Sequence, residues 1–96
     1  MNPESRFKTK VAAELRKLSK CWFVKFQALS LTGVPDLLIC YRGRFAAWEL
    51  KVGAGKPTKR QSWALECIRR AGGIARVVRP ETLEEALVEL KKSVKI

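Results

Sequence analysis

The segment 36–51 constrains the fold more than any other part of the chain. It reads DLLICY, RG, RFAAWELK, so that only Arg42 and Gly43 separate two runs rich in apolar residues. A two-residue connection can close an antiparallel hairpin, whereas a parallel crossover needs a dozen or more residues. The sequence therefore predicts a tight β-hairpin made of the strands 36–41 and 44–51.

The remaining segments predict helices and further strands around this hairpin. Phe7, Val11, Leu15 and Leu18 recur at helical spacing, and Asn2 and Pro3 are typical of a helix start. Further along the chain we expect a strand over 21–27, a helix that begins at Thr58 and ends at Gly72, a strand over 74–78, and a helix from Thr82 to about Ser93. This order predicts an α/β fold with an αβββαβ core, a mixed β-sheet flanked by helices, and an additional C-terminal helix.

Length and charge limit the classes of function. The 96 residues suffice for one compact domain, so we expect a single domain over 1–96. The chain has 20 Lys or Arg against 9 Asp or Glu, a net charge of +11, and it is 47% hydrophobic. It is too apolar for a disordered basic tail, and its charge predicts a polyanionic partner. Because no apolar run approaches the roughly 20 residues that span a bilayer, we favour nucleic acid and expect no membrane partner.

The absence of histidine and the three cysteines exclude several kinds of site. Without histidine there is no Ser-His-Asp triad, no imidazole base and no His-ligated zinc. Cys21, Cys40 and Cys67 are odd in number and contain no CxxC spacing, which excludes a zinc knuckle and a complete disulfide framework. With no signal peptide at the N-terminus, we expect an intracellular, cytoplasmic protein.

Three charged residues lie in the predicted hairpin where apolar residues would be expected. If Tyr41 pairs with Arg44, the same register places Asp36 directly opposite Glu49, with Cβ atoms roughly 4.5–5.5 Å apart. Two carboxylates at that separation repel each other unless a cation lies between them. Mg²⁺ sites typically have only a few oxygen ligands from the protein, and water and phosphate oxygens fill the other coordination positions. Lys51 shares their face and can orient an attacking water or stabilise charge on a phosphate.

The chain resembles a nuclease family at these residues. Gly33-Val34-Pro35-Asp36, followed thirteen residues later by Glu49-Leu50-Lys51, is similar to the PD-(D/E)xK signature of restriction-endonuclease-like nucleases. The further segment GKPTKRQ, with Gln61 in the opening turn of a helix, resembles the virus-type replication-repair nuclease domain, VRR-NUC. The resemblance extends from Glu4 to about Val78.

This resemblance implies a divalent-metal-dependent endonuclease. It assigns Asp36 and Glu49 as Mg²⁺ or Mn²⁺ ligands, with the backbone carbonyl of Leu50 facing the ion and Lys51 as the catalytic lysine. It adds Gln61 near the catalytic site and Glu4 as a further metal ligand. Stand-alone members resemble Holliday-junction resolvases, which implies a homodimer acting on branched DNA in DNA repair. A phage-encoded chain acting in a bacterial host's cytoplasm fits this group.

Each of these residues also has a simpler explanation. Asp36 could accept hydrogen bonds from turn amides, and Glu49 and Lys51 could lie on a solvated strand face. Thr58 and Gln61 match a helix capping box, which by itself explains the glutamine. Glu4 lies where a carboxylate complements a helix dipole. A non-catalytic DNA-binding module on a nuclease fold is therefore the alternative function.

The predicted contacts to DNA lie outside the hairpin. The candidates for phosphate contacts are Lys25, Ser30, Lys56, Lys59 and Arg60. Lys25 could instead be exposed at a sheet edge, and the others could be solvated loop residues. We expect Trp22, Trp48 and Trp63 to be core or dimer-interface residues and not base-stacking platforms. A protomer of this size has a short footprint on DNA, which also favours a homodimer with one site for each strand.

Overall fold

The structure is a computed structural model that describes residues 1–26 and 33–94. Within these ranges the elements are α1 Pro3–Arg16, β1 Cys21–Lys25, β2 Leu37–Tyr41, β3 Arg44–Leu50, α2 Lys59–Arg70, β4 Ile74–Val78, a 3₁₀ turn Pro80–Thr82 and α3 Leu83–Lys92. The predicted element order is confirmed, with bounds that differ by at most three residues. The last helix begins later than predicted because Pro80 starts the 3₁₀ turn.

The four described strands form one mixed sheet in the order β1-β2-β3-β4. Strand β2 is antiparallel to both β1 and β3, whereas β3 and β4 are parallel. Helix α2 connects the parallel pair, as a crossover between parallel strands requires. The predicted α/β fold with a mixed sheet and flanking helices is confirmed.

The hairpin between β2 and β3 has the predicted two-residue turn. Arg42 and Gly43 both have positive φ, 50° and 86°, as a type I′ turn requires, and Tyr41 pairs with Arg44. Arginine is not a preferred residue in this conformation. Its backbone N–H donates to the Lys20 carbonyl (3.0 Å) and its Nη2 donates to Ser19 Oγ (2.7 Å). These bonds hold the turn against the residues that directly precede β1.

One side of the sheet, which we call the core face, packs against α1 and α3. Trp48 lies at its centre with no exposed surface. The cluster around it contains Phe7, Val11 and Leu15 of α1, Leu37, Ile39, Tyr41, Ala46, Leu50 and Val78 of the sheet, and Leu83, Ala86, Leu87 and Leu90 of α3. The apolar stripe predicted from sequence spacing on the first helix is the surface that α1 buries against this face.

The opposite side, which we call the α2 face, is only partly covered. Helix α2 packs over β4 and β3, where Leu65 and Ala75 are buried. Toward β1, Trp22 remains 66% exposed and Val24 38% exposed, and Cys40, the cross-strand partner of Trp22, is also exposed. No described helix is long and apolar enough to cross a membrane.

Candidate active site

Asp36 and Glu49 lie where the β2–β3 hairpin opens, on the α2 face. The last paired residues are Leu37 and Trp48, so the next position in the same register holds Asp36 opposite Glu49. The Asp36 N–H donates to Glu49 Oε1 (3.3 Å), and the Leu50 N–H donates to Asp36 Oδ2 (2.8 Å). Each carboxylate therefore accepts a backbone hydrogen bond from the strand that carries the other. The predicted cross-strand neighbourhood is present.

Glu49 is a buried charge. It is 1% exposed, and among the described residues it is the one buried residue with a polar or charged side chain. Burial raises the pKa of Glu49, and the nearby negative charge of Asp36 raises it further, while hydrogen bonding and attraction to Lys51 act in the opposite direction. The pKa is raised on balance, so the ionised form of Glu49 is disfavoured at this site, chiefly by its burial and then by the charge of Asp36.

Lys51 supplies part of that charge. Its Nζ lies 3.2 Å from Glu49 Oε2, and 22% of its side chain is exposed. The Lys51 N–H donates to the Val78 carbonyl at the end of β4 (3.1 Å), which fixes the backbone one residue beyond β3. The ammonium group thus lies beside the carboxylate pair and remains accessible from solvent.

A small cavity adjoins Asp36 on the side facing α1. Its volume is about 30 Å³, which exceeds the roughly 10–15 Å³ that one water molecule needs. Its lining contains Lys8, Lys25, Phe26, Asp36, Leu37 and Leu50. Two lysines beside one carboxylate form a suitable place for an oxygen of a phosphate group.

Lys25 was a sequence candidate for this region, whereas Lys8 was missed. Lys8 is paired with Glu4 one helical turn earlier, with 3.3 Å between its Nζ and Glu4 Oε1. The one signal for Lys8 in the sequence is its place beside Phe7, a residue of the apolar stripe of α1. That position in the sequence does not show that α1 brings Lys8 close to Asp36 at the end of β2.

Glu4 and Gln61 are engaged by their own helices. Glu4 lies within the first turn of α1 and forms the ion pair with Lys8. The described residues contain no group of three or more Asp, Glu, Cys or His side chains that could hold a metal, so Glu4 is not grouped with Asp36 and Glu49. Gln61 forms the predicted capping box, because its Oε1 accepts from the Thr58 N–H (2.8 Å) and its own N–H donates to Thr58 Oγ1 (3.1 Å).

The start of α2 contacts the segment that leads into Asp36. Gly33 has a φ of +87°, and a Cβ added there would lie 3.0 Å from the backbone C and O of Arg60. Only glycine combines this backbone conformation with so close an approach. Lys59 and Arg60 consequently lie beside Gly33 and Val34. Lys56 is exposed in the preceding loop, and Ser30 lies outside the described residues.

The donor set fits a hard divalent cation. Mg²⁺ is usually held by one or two carboxylates and keeps several waters. Asp36 and Glu49 provide two carboxylates on adjoining strands, and the raised pKa of Glu49 marks a place where added positive charge is favourable. The residues present are therefore compatible with the ion that the sequence resemblance implies.

A comparison with solved structures identifies the kind of fold. A structure described as a "VRR_NUC domain" is similar to this chain with a TM-score of 0.78 and 25% sequence identity, covering 93% of this chain and 97% of that one. No protein-family model and no curated protein matches the sequence. The resemblance to VRR-NUC is confirmed, and the fold is of a nuclease type.

Proposed function

We propose that the protein is a divalent-metal-dependent endonuclease that hydrolyses DNA phosphodiester bonds. The observation that carries the proposal is the interlocked pair Asp36–Glu49 with Lys51 Nζ 3.2 Å from Glu49, at one end of a sheet with a nuclease-type fold. The burial of Glu49 argues against a solvated strand face for that residue, whereas the hydrogen bond from the Leu50 N–H to Asp36 also fits a strand-start aspartate satisfied by backbone amides.

Asp36, Glu49 and the Leu50 carbonyl would hold one Mg²⁺ or Mn²⁺ ion. When bound, the ion supplies Lewis-acid charge that activates water and neutralises phosphate oxygens. The protein's own contribution is to fix the two carboxylates on paired strands, where their backbone hydrogen bonds limit their movement. Glu4 would join the metal shell only if its ion pair with Lys8 opened.

Lys51 is the proposed catalytic lysine. Its ammonium group stands beside the carboxylates and can donate a hydrogen bond to an attacking water or to a phosphate oxygen. Because histidine is absent, no imidazole can share this role. Gln61 remains a catalytic candidate through the resemblance, although its side-chain oxygen already accepts the capping hydrogen bond.

The DNA backbone would lie across the positive groups around this site. Lys25 and Lys8 line the cavity beside Asp36, and Lys59 and Arg60 lie at the start of α2 near Gly33. Lys56 and Ser30 are further proposed contacts in the neighbouring segments. Together with a net charge of +11, this distribution supports binding that weakens steeply as salt rises.

A cleavage assay tests the proposal. Purified protein is incubated with four-way junctions, flaps and linear duplexes, with Mg²⁺, with Mn²⁺ or with EDTA. We expect cleavage only with a divalent ion and a loss of about 100-fold or more for Lys51→Ala. Lys91→Ala, which removes one exposed positive charge on α3, is the matched control and should retain activity. Cleavage that survives Lys51→Ala would contradict the proposal.

Branched DNA as the substrate and a homodimer as the active form are finer parts of the proposal. The resemblance supports both, and the uncovered part of the α2 face supports the dimer, because Trp22, Val24 and Cys40 form an apolar surface that a second copy could bury. Light scattering should show a dimer for the wild type and a monomer for Val24→Glu. Val88→Glu, at a similarly exposed valine on α3, should remain dimeric.

The net charge of +11 also fits a DNA-binding module without catalysis. That alternative predicts salt-sensitive binding that EDTA does not change, and no cleavage with any divalent ion. The described cysteines are all free thiols, which supports action in a reducing cytoplasm, including that of a bacterial host if the chain is phage-encoded.

A further inference from the structure

Trp63 is a large apolar side chain that the fold does not bury. It lies on α2 and is 70% exposed, although the sequence predicted a core or interface residue. Lys59 precedes it by four residues and Arg60 by three, so all three lie on neighbouring positions of one helix face. An exposed indole flanked by two basic residues is a combination that core packing does not explain.

The surroundings of Trp63 form an open pocket. Its volume is about 570 Å³, and its lining consists of Gly33, Val34, Lys59, Arg60, Trp63 and Ala64. Gly33 contributes no side chain, and Val34 and Ala64 add small apolar surfaces. The described lining residues therefore provide aromatic and aliphatic surface with basic groups at one side, and none of these described residues is acidic.

This pocket lies near the proposed catalytic pair. Gly33 is in close contact with the backbone of Arg60. Asp36 follows Gly33 by three residues, which span at most about 11 Å of extended chain. Successive nucleotides of one DNA strand are about 3.4 Å apart along the helix axis. A strand whose phosphate lies at Asp36 can therefore place a base only a few nucleotides away on Trp63.

We propose that Trp63 stacks on an unpaired nucleobase of the DNA substrate while Lys59 and Arg60 contact the adjoining phosphates. The inference rests on the proposed function, since it assigns a substrate feature to the same site. A flat indole can stack on any base, and basic groups beside it can follow the backbone, which is how single strands are bound without sequence preference. A second copy of this basic chain is a poorer occupant, because it would bring its own Lys59 and Arg60 against the same charges.

DNA binding by variants provides the first test. All measurements use the Lys51→Ala background with Mg²⁺, so that the DNA stays intact. The probes are a blunt duplex and the same duplex with a single-stranded flap. We expect Trp63→Ala to weaken flap binding by about 5- to 150-fold, the range for loss of one base–aromatic stack, and duplex binding by less than twofold. Trp63→Phe should recover most of the affinity.

Val88→Ala is the control, because Val88 is an exposed apolar residue at 40% on α3, outside both this pocket and the proposed dimer surface. It should leave the preference for the flap unchanged. Tryptophan fluorescence gives a second readout in the same background. Binding of oligo(dT) should quench the emission of Trp22→Phe, whose Trp63 is intact, and should quench that of Trp63→Phe much less.

Two outcomes would overturn the inference while leaving the proposed function intact. In the first, the wild type cleaves DNA, but Trp63→Ala changes binding to the flap and to the duplex equally or changes neither. The other is a change of oligomeric state in Trp63→Ala, which would place the indole in a subunit interface. If instead the wild type neither binds nor cleaves any DNA, the proposed function fails and the stacking role fails with it.

Discussion

Trp48 and Glu49 are adjacent in β3 and equally hidden from solvent, yet they belong to opposite faces of the sheet. Trp48 has no exposed surface and contributes to a continuous apolar cluster between the sheet and two helices. Glu49 is 1% exposed and meets Asp36 and Lys51. One face thus stabilises the molecule, and the other buries a carboxylate whose charged form is disfavoured there.

This difference teaches that burial alone does not define a core. On the core face, the buried side chains remove apolar surface from water, which stabilises the fold, although the indole N–H of Trp48 is buried without a hydrogen-bond partner among the described residues. On the α2 face, the buried carboxylate has a raised pKa, so its charged form lowers the stability of the fold. A chain retains such a group when its chemistry is needed, and proteins often have perturbed carboxylates at functional sites.

The largest effect on the core face should come from Trp48→Ala. Removing this fully buried side chain leaves a cavity, and we expect a loss of about 3–5 kcal/mol in the free energy of unfolding. Urea denaturation measures it. Trp63→Ala, which truncates an exposed tryptophan, should change stability by less than about 0.5 kcal/mol. A loss below about 1 kcal/mol for Trp48→Ala would contradict the contrast between the faces.

Asp36→Asn should strongly reduce cleavage with little loss of stability. The amide oxygen of asparagine can still accept the Leu50 N–H, but the charge for the metal is lost. We expect cleavage to fall by about 100-fold or more at moderate Mg²⁺, with partial recovery at high Mg²⁺. Cleavage rates over a Mg²⁺ titration measure this. Glu66→Gln, an exposed carboxylate on α2, is the control, and equal losses in both variants would refute a local role for Asp36.

Two glycine substitutions should separate backbone strain from helix placement. Gly33 and Gly43 both have positive φ, but only Gly33 would bring a Cβ within 3.0 Å of another backbone, whereas Gly43 has nothing within 4 Å. Gly43→Ala should cost about 1–2 kcal/mol from strain alone. Gly33→Ala should cost at least about 1 kcal/mol more, because α2 must shift. Thermal unfolding compares the two, and equal losses would mean that α2 does not press on Gly33.

The smallest effect is a pH dependence at Glu49. Because its folded pKa is raised, wild-type stability falls as pH rises from the ordinary value of 4.5 through the folded pKa. Glu49→Gln removes that penalty, so the variant should be the more stable protein at pH 7 without divalent ions. The difference in Tm should disappear below pH 4.5 and shrink when Mg²⁺ stabilises the wild type. A variant less stable than wild type at pH 7 would contradict the sign.

The register of the hairpin was predictable because two local rules agree. A two-residue turn sets which residues oppose one another, and period-two alternation assigns each to a face. These rules brought Asp36, Glu49 and Lys51 together before any tertiary contact was considered. The capping box of Thr58 and Gln61 was equally local, and it is present.

Features that depend on how helices lie on the sheet were not predictable. The periodicity of α1 showed which residues it buries, but not that Lys8 passes the end of β2 beside Asp36. For α2, the sequence predicted Trp63 as a core or interface residue, yet Leu65 is the buried residue of this helix and Trp63 is 70% exposed. Helix α2 packs on β3 and β4, and this leaves one apolar flank of the helix and the outer strand β1 exposed.

The turn at Arg42 and Gly43 has a consequence for how this chain can change in length. Residues of β3 alternate between faces, and their assignment is counted from the turn. Adding or removing one residue while the turn keeps its two-residue form would shift the pairing of β3 by one and exchange Trp48 and Glu49, which would place an indole beside Asp36 and a carboxylate in the apolar cluster. Loop changes of two residues would preserve the assignment. We therefore expect the hairpin to tolerate an even number of added or removed residues better than an odd number. The stability of variants with different turn lengths would show this.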